Sequence, residues 1–337
     1  MNNKAIAHRP AKVICLGEIL FDYLADDLGK SVSEVTSWTP YPGGAPANVA
    51  CALAKLGTSS AFIGCVGRDD PGKELVSLLE SIAVDVSGIQ YTDLATTRGV
   101  YVTRSSSGDR TFAGFRERPA DKFADAYLQA ELLPTELFLE AEYLTIGTLE
   151  LAYPQSRAAV FRALELAMEY HLKVVLDVNW RPNFWLDESE ARPLIERLWS
   201  YVDFVKLAEE EAQWLFDTAD AGSIFYRLGS VEGVLVSNGA AEVSYCLAEN
   251  EGKVAPFAVE VKDTTGAGDA FLGGLIHQLC QIKISELAEA QIAENIVKYA
   301  CAVGGLTTTE SGAIAAQPNP KLVTALMQKS SVRLDLK

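Results

Sequence analysis

Apolar residues along the chain fall into two kinds of run. Short stretches rich in β-branched side chains, at Val13 to Leu16, Ala61 to Val66, Tyr143 to Ile146, Lys173 to Asp177, Phe204 to Lys206 and Val234 to Ser237, have the composition of strands. Between them, helices are predicted over Pro46 to Leu56, Pro71 to Ile82, Pro154 to Tyr170 and Glu188 to Trp199. Proline heads three of these segments, where its fixed φ suits a first turn, and Gly57 closes the first of them. Strands that are apolar without alternation have both faces covered. The pattern therefore predicts an α/β protein with a three-layer α/β/α core around a mostly parallel sheet. Ligands of such sheets gather at the carboxyl ends of the strands.

The alternation fails in two places. Arg98 to Phe115 reads as strand, turn, strand, with SSSGD at 105–109 as the turn, and the segment from about Tyr23 to Tyr41 is also poor in helix. We expect these segments, about 23–41 and 98–116, to form a small discontinuous β-strand lid on a single domain spanning 1–337. A lid that excludes water serves reactions in which water competes as an acceptor; an ordinary edge hairpin has the same pattern.

The 337 residues, 49% of them hydrophobic, are enough for a large core. The formal net charge of -16 argues against nucleic acid or an anionic membrane as a partner, since both are held by clustered Lys and Arg. An anionic small molecule needs only a local positive site. Six scattered cysteines, with no C-x-x-C pair, read as reduced core residues. The first ten residues lack the apolar stretch of a leader, and no uninterrupted apolar run reaches about eighteen residues, so a cytoplasmic location is expected. The three histidines have no metal-ligand spacing, and His277 reads as a satisfied core residue.

Candidate chemistry concentrates in DTTGAGDAF, Asp263 to Phe271. Gly266 and Gly268 let successive backbone N–H groups converge on one point, which attracts anions. Behind them Ala270, Phe271, Leu272, Leu275, Ile276 and Leu279 form an apolar helix whose N-terminal dipole adds to that attraction. Asp269 puts a negative charge in the same first turn. The natural reading is a base working beside a group whose charge grows during reaction, as in phosphoryl transfer.

A second glycine-rich run, GRDDPGKE from Gly67 to Glu74, nearly fits a P-loop, but Glu74 replaces the magnesium-binding hydroxyl and Asp69 and Asp70 would repel phosphate. It reads as a turn before a helix. GAGDAF also fails as a dinucleotide fingerprint, because Phe271 stands in place of the third glycine. In GGAPANVA, Gly43 to Ala50, a glycine pair precedes Pro46, and Asn48 lies in the first turn of an otherwise apolar helix. Its amide can donate to and accept from a polyol, or bond the local backbone. Asp22, at the end of strand-like GEILFD, offers an acceptor for adjacent hydroxyls, or a turn cap.

DTTGAGDAF and GGAPANVA, in this order and this far apart, resemble the two signatures of the ribokinase-like (PfkB) carbohydrate kinases over about Val13 to Pro318. Pro46, GEILFD, GDRTFAGFRERPAD and the closing GLTTTESGAI are most similar to fructokinases. The resemblance implies transfer of the ATP γ-phosphoryl group to a sugar hydroxyl, with Asp269 as base and the backbone of Gly266, Ala267 and Gly268 as anion hole. It implies that Asp22, Gly43, Gly44 and Asn48 hold the sugar, with Arg116 reaching in from the lid. Asn179 and Arg181 would lie near the acceptor and phosphates. Lys206 and the turn containing Ser237, Gly239 and Glu242 would serve the nucleotide. Glu211 would hold Mg2+ through water, and Asp263 and Thr265 a monovalent cation, commonly K+. Many relatives pair through their lids, so a homodimer is implied as well.

Two positions depart from the family pattern: Ala208 where Asn or Ser is common, and Cys301 where many relatives carry Asn near the adenine pocket. The leading expectation is a kinase converting D-fructose to fructose 6-phosphate. Activity on 2-keto-3-deoxygluconate, ribose or a nucleoside remains open, as does a catalytically silent sugar sensor or assembly subunit on the same fold.

Overall fold

Val13 and Cys15 point into one apolar layer, Ile14 and Leu16 into another, so consecutive residues of one short strand serve two cores. This double burial explains the unbroken apolar runs. The computed structural model describes residues 10–105, 110–115 and 118–334; Arg116 lies outside them. The elements run β1 (Val13–Leu16), β2 (Leu20–Leu28), β3 (Trp38–Gly43), α1 (Ala45–Leu56), β4 (Ser60–Gly67), α2 (Asp70–Ser81), β5 (Asp85–Thr92), β6 (Gly99–Arg104) and β7 (Arg110–Gly114). They continue with α3 (Thr135–Glu140), β8 (Tyr143–Ile146), α4 (Pro154–Glu169), β9 (Lys173–Asp177), α5 (Ala191–Glu196), β10 (Phe204–Ala208), α6 (Glu209–Phe216) and α7 (Ala221–Leu228). The last are β11 (Gly233–Ser237), β12 (Val243–Leu247), β13 (Asn250–Val254), α8 (Ala267–Leu279), α9 (Ala290–Thr307) and α10 (Pro320–Leu334).

The larger sheet has the order β13-β12-β11-β10-β9-β8-β1-β4-β5, parallel except for β12 and β13 at one edge. Residues of α1, α2, α8 and α9 pack on one face, and residues of α3 to α7 on the other, giving three layers. The chain leaves β1 toward β4 on one side and returns to β8 on the other. The carboxyl ends of β1 and β8 are therefore a topological switch point, where a crevice opens.

The helix-poor segments form a second sheet in the order β3-β2-β6-β7. Its strands alternate: Leu20 and Asp22 of β2 and Val100 of β6 border the crevice, whereas Tyr23 and Tyr101 stack on one another with ring centroids 4.9 Å apart. GEILFD is not one strand. The chain breaks after β1 at Gly17 to Ile19 and re-enters as β2, so Asp22 lies inside a strand that runs on to Leu28. Glycine is required at the break, since a Cβ at Gly17 would lie 2.5 Å from Pro46 Cγ.

The helix expected over Glu188 to Trp199 is split into α5 flanked by 3-10 turns. Pro193, the third residue of α5, lacks the N–H that would bond Ser189 and its ring crowds that carbonyl, so the α-helix cannot begin as early as Glu188. Strands β5, β12 and β13 escaped the sequence reading because polar residues interrupt them. The P-loop look-alike is a helix cap, with Asp69 Oδ1 accepting from Gly72 N at 2.9 Å. All six cysteines are unpaired and buried. No helix among the described residues is long and apolar enough to cross a membrane.

Candidate active site

The ends of β9 and β10 and the N-termini of α1 and α8 meet in a cleft of about 450 Å³ beneath the small sheet. Asp22, Gly44, Asn48, Asn179, Arg181, Lys206, Thr265, Gly266, Gly268 and Asp269 all line it. They come from five separate stretches of the sequence.

Asp269 stands half-buried in the first turn of α8, and Asn48 Nδ2 donates to its Oδ2 at 2.7 Å. Burial and the Asp177 carboxylate push the Asp269 carboxyl above its ordinary value, while Asn48, Lys206 and Arg181 pull the other way. The result is a carboxylate more basic than one in water. Asn48 is 4% exposed and its Oδ1 has no partner among the described residues. A buried amide oxygen left open beside a cleft has the chemistry of an acceptor waiting for a ligand hydroxyl.

Gly266 caps α8 at φ 75, and no side chain among the described residues caps that helix. A Cβ at Gly266 would lie 2.6 Å from Ala313 Cβ, so both its conformation and its surroundings select glycine. The uncapped terminus presents N–H groups and the positive end of the dipole to the cleft. Lys206 Nζ lies 3.3 Å from where a Gly268 Cβ would stand, which brings its charge to the same terminus. Both oxygens of Asp177 accept from Lys206 at 2.9 Å in a buried pair. Burial disfavours the ammonium, but Asp177, Glu211 and Asp269 outweigh it and hold its pKa above the usual lysine value.

On the opposite wall, a Cβ at Gly43 would come within 2.8 Å of Asp22 Oδ2, and one at Gly44 within 2.5 Å of the Glu18 carbonyl oxygen. The glycine pair thus lets β3 turn into α1 beside Asp22. Asn179, at φ 36, and exposed Arg181 follow the end of β9. Arg181, Asp22 and Thr265 also line an adjoining cleft of about 540 Å³ that contains Asp263.

Other sequence candidates have structural partners. Glu211 Oε1 accepts from Trp180 N at 2.7 Å and Oε2 from Ala208 N at 2.8 Å, which caps α6. Burial, then Asp177, raises its carboxyl pKa. Asp263 accepts from Thr265 N and Oγ1 at 3.0 and 2.7 Å and from Gly312 N at 3.1 Å, tying the loop before α8 to the turn after α9. Ser237 and Gly239 do not line the Asp269 cleft. Ser237 Oγ donates to the Leu207 carbonyl at 3.3 Å, Gly239 lies in the exposed β11–β12 turn, and Glu242 lines a separate cleft of about 400 Å³. Sequence reasoning missed Glu18, Asp177, Phe112 and Phe184 at or next to the site. Glu18 left one signal, a carboxylate within an apolar run.

A sugar-sized cleft at the switch point of a three-layer α/β fold, with a basic carboxylate at an open helix terminus, has the makings of a phosphotransferase. Residues 10–320 match the model for the pfkB family of carbohydrate kinases. The chain is 34% identical over 322 residues to Fructokinase-1 of Zea mays, covering 94% of this chain and 98% of that one. It is similar to the crystal structure of fructokinase with bound ATP from Xylella fastidiosa, with a TM-score of 0.86, 29% identity and coverage of 95% and 99%. It is also similar to a double mutant of fructokinase from Vibrio cholerae O395 in a form with fructose, ADP and potassium ion bound, with a TM-score of 0.81, 29% identity and coverage of 94% and 98%. The fold is ribokinase-like, and the class is ATP-dependent sugar phosphotransferase. The chain belongs to the pfkB family of carbohydrate kinases.

Proposed function

We propose that this kinase phosphorylates D-fructose at the 6-hydroxyl, giving fructose 6-phosphate and ADP. The observation that carries the reading is the Asn48–Asp269 pair at the open terminus of α8, taken with the likeness to fructokinases. Asp269 takes the proton of the 6-hydroxyl as its oxygen attacks the γ-phosphorus in line, and the bond from that phosphorus to the ADP oxygen breaks. The backbone of Gly266, Ala267 and Gly268 stabilises the charge on the transferring group. Asp22, Gly43, Gly44 and Asn48 hold sugar hydroxyls, Arg116 is a further residue for the sugar, and the small sheet acts as a lid. Asn179 and Arg181 serve the acceptor and the phosphates. Lys206 stands by the phosphates, and Ser237, Gly239 and Glu242 serve the rest of the nucleotide.

No cluster of three metal-ligating side chains occurs among the described residues, and both oxygens of Glu211 already accept backbone N–H groups. This donor set fits a magnesium ion carried mainly by ATP phosphates, with Glu211 reaching it through water. Such an ion supplies neutralisation of phosphate charge. Asp263 and Thr265 are the residues that would hold potassium, a reading supported by the potassium in the Vibrio cholerae protein.

Arg181, exposed at the cleft, favours one second reading, a kinase for the acidic sugar 2-keto-3-deoxygluconate. ATP consumption measured with fructose, 2-keto-3-deoxygluconate, ribose and adenosine separates the cases. Fructose is expected to give the highest kcat/KM. A higher value for the acidic sugar replaces fructose, and binding without turnover of any of them makes the chain a sensor.

A further inference from the structure

On the sugar side of the cleft, with Glu18 in its lining, lie three carboxyl groups and one guanidinium, all buried and none used by the chemistry above. Glu18, 5% exposed, follows β1, and Glu150, 1% exposed, follows the neighbouring strand β8. Asp125 and Arg98, 2% and 1% exposed, complete the group. Arg98 Nε donates to Asp125 Oδ2 at 2.7 Å, and Nη2 donates to Ala120 O and Tyr153 Oη. One cation therefore answers one carboxylate.

Neither glutamate forms an ion pair among the described residues, although Arg98, whose Nη1 has no hydrogen-bond partner there, pulls on Glu150. Glu18 Oε1 accepts the N–H of Ala45, the first residue of α1, at 2.7 Å. Neither oxygen of Glu150 has a partner among the described residues. A Cβ at Gly17 would lie 3.1 Å from Glu150 Oε2, which seats that carboxyl against the residue preceding Glu18. Two neighbouring buried carboxylates with no ion-pair partner among the described residues cannot both ionise at modest cost, whereas a protonated carboxyl becomes a donor to an adjacent carboxylate.

We propose that Glu150 carries a proton and donates it in a hydrogen bond to Glu18, and that this acid pair is a positioning device for the sugar site. Glu18 caps α1 at Ala45, and Asn48, one turn along, bonds Asp269. Holding Glu18 therefore holds the turn from Gly44 to Asn48 in register with the base. The proposal rests on the reading of Asp269 as base and adds residues to it.

Burial, opposed by backbone donors at Glu18 and Ala45 and reinforced by Asp125 and Asp269, pushes the Glu18 carboxyl up to about 7. Burial, Glu18 and Asp125 push Glu150 well above the ordinary range against the pull of Arg98. A raised carboxyl pKa favours the fold while the group is neutral, and that contribution is lost as pH rises through the raised value.

Infrared spectra of the unliganded full chain at neutral pH test the proton directly. The Glu150→Gln variant should lose one carboxylic-acid C=O band present in the wild type; a spectrum with no lost band overturns the shared proton. Kinetics test the positioning. Glu150→Gln, whose amide still donates, should keep the sugar KM, while Glu150→Ala should raise it about tenfold, the effect of losing a hydrogen bond to a charged group. Equal KM values for the two variants overturn the positioning role. If the alanine variant does not fold, thermal unfolding of Glu18→Gln decides: wild-type stability should fall more steeply than that of the variant as pH rises toward about 7, and parallel curves refute the pair. The infrared and thermal measurements need no turnover. A wild type that phosphorylates no sugar would therefore sink the kinase reading while they still decide the acid pair.

Discussion

Asp269 combines two properties that oppose each other in water: it is charged, and it sits where charge is penalised. Burial and Asp177 raise its pKa, and Asn48 and Lys206 keep it ionisable. Under the proposed mechanism, Asp269→Asn should lower kcat by about two to four powers of ten, with ATP and sugar binding by calorimetry largely unchanged. The base works only when ionised, so wild-type kcat should rise with pH through a value above the ordinary carboxylate range. That acid limb should be missing from the residual activity of the variant. The carboxylate itself was legible in DTTGAGDAF, because glycines and an acid at a helix start are a local pattern. Its tuning was not. Asp177, Lys206 and Asn48 are distant in sequence and tune Asp269 only through the fold.

At the scale of elements, two helix termini carry the site, and both depend on glycine. Gly266→Ala would force a side chain into a conformation that costs about 1–3 kcal/mol, and against Ala313 as well. We expect a loss of that order in urea unfolding, accompanied by a fall in kcat larger than any rise in the sugar KM, because the turn presents the proposed anion hole. The helices headed by Pro46, Pro71 and Pro154 and the apolar strands were readable, since capping and burial leave marks within a few residues. The break at Gly17 to Ile19 was not. The approach of Pro46 that reserves position 17 for glycine arises only when α1 folds back over β1. The start of α5 at Ala191, two residues before Pro193, was marked in the chain by that proline, but apolar spacing concealed it.

For the whole molecule, the small sheet presents one face to the cleft and the other outward. On that other face Tyr23 stacks on Tyr101, and Trp38 meets Tyr101 edge-on with ring centroids 5.0 Å apart. All three rings are half-buried and aromatic surface of this kind suits pairing with a second copy. Sedimentation of the full chain is expected to show a dimer that Tyr101→Asp dissociates; a monomer at all concentrations would refute pairing through the lid.

The amino-acid sequence by itself determined the alternation of strands and helices, the two glycine-rich turns and the class of chemistry, because each is a pattern within a dozen residues. Tertiary structure decided which of those residues act together. It joined Asn48 to Asp269 across 221 positions, buried Lys206 against Asp177, and set Glu18 and Glu150 at the ends of neighbouring strands. The physical reason is that desolvation and charge coupling depend on distance in space, and no local run of residues records which distant side chain will share its loss of water.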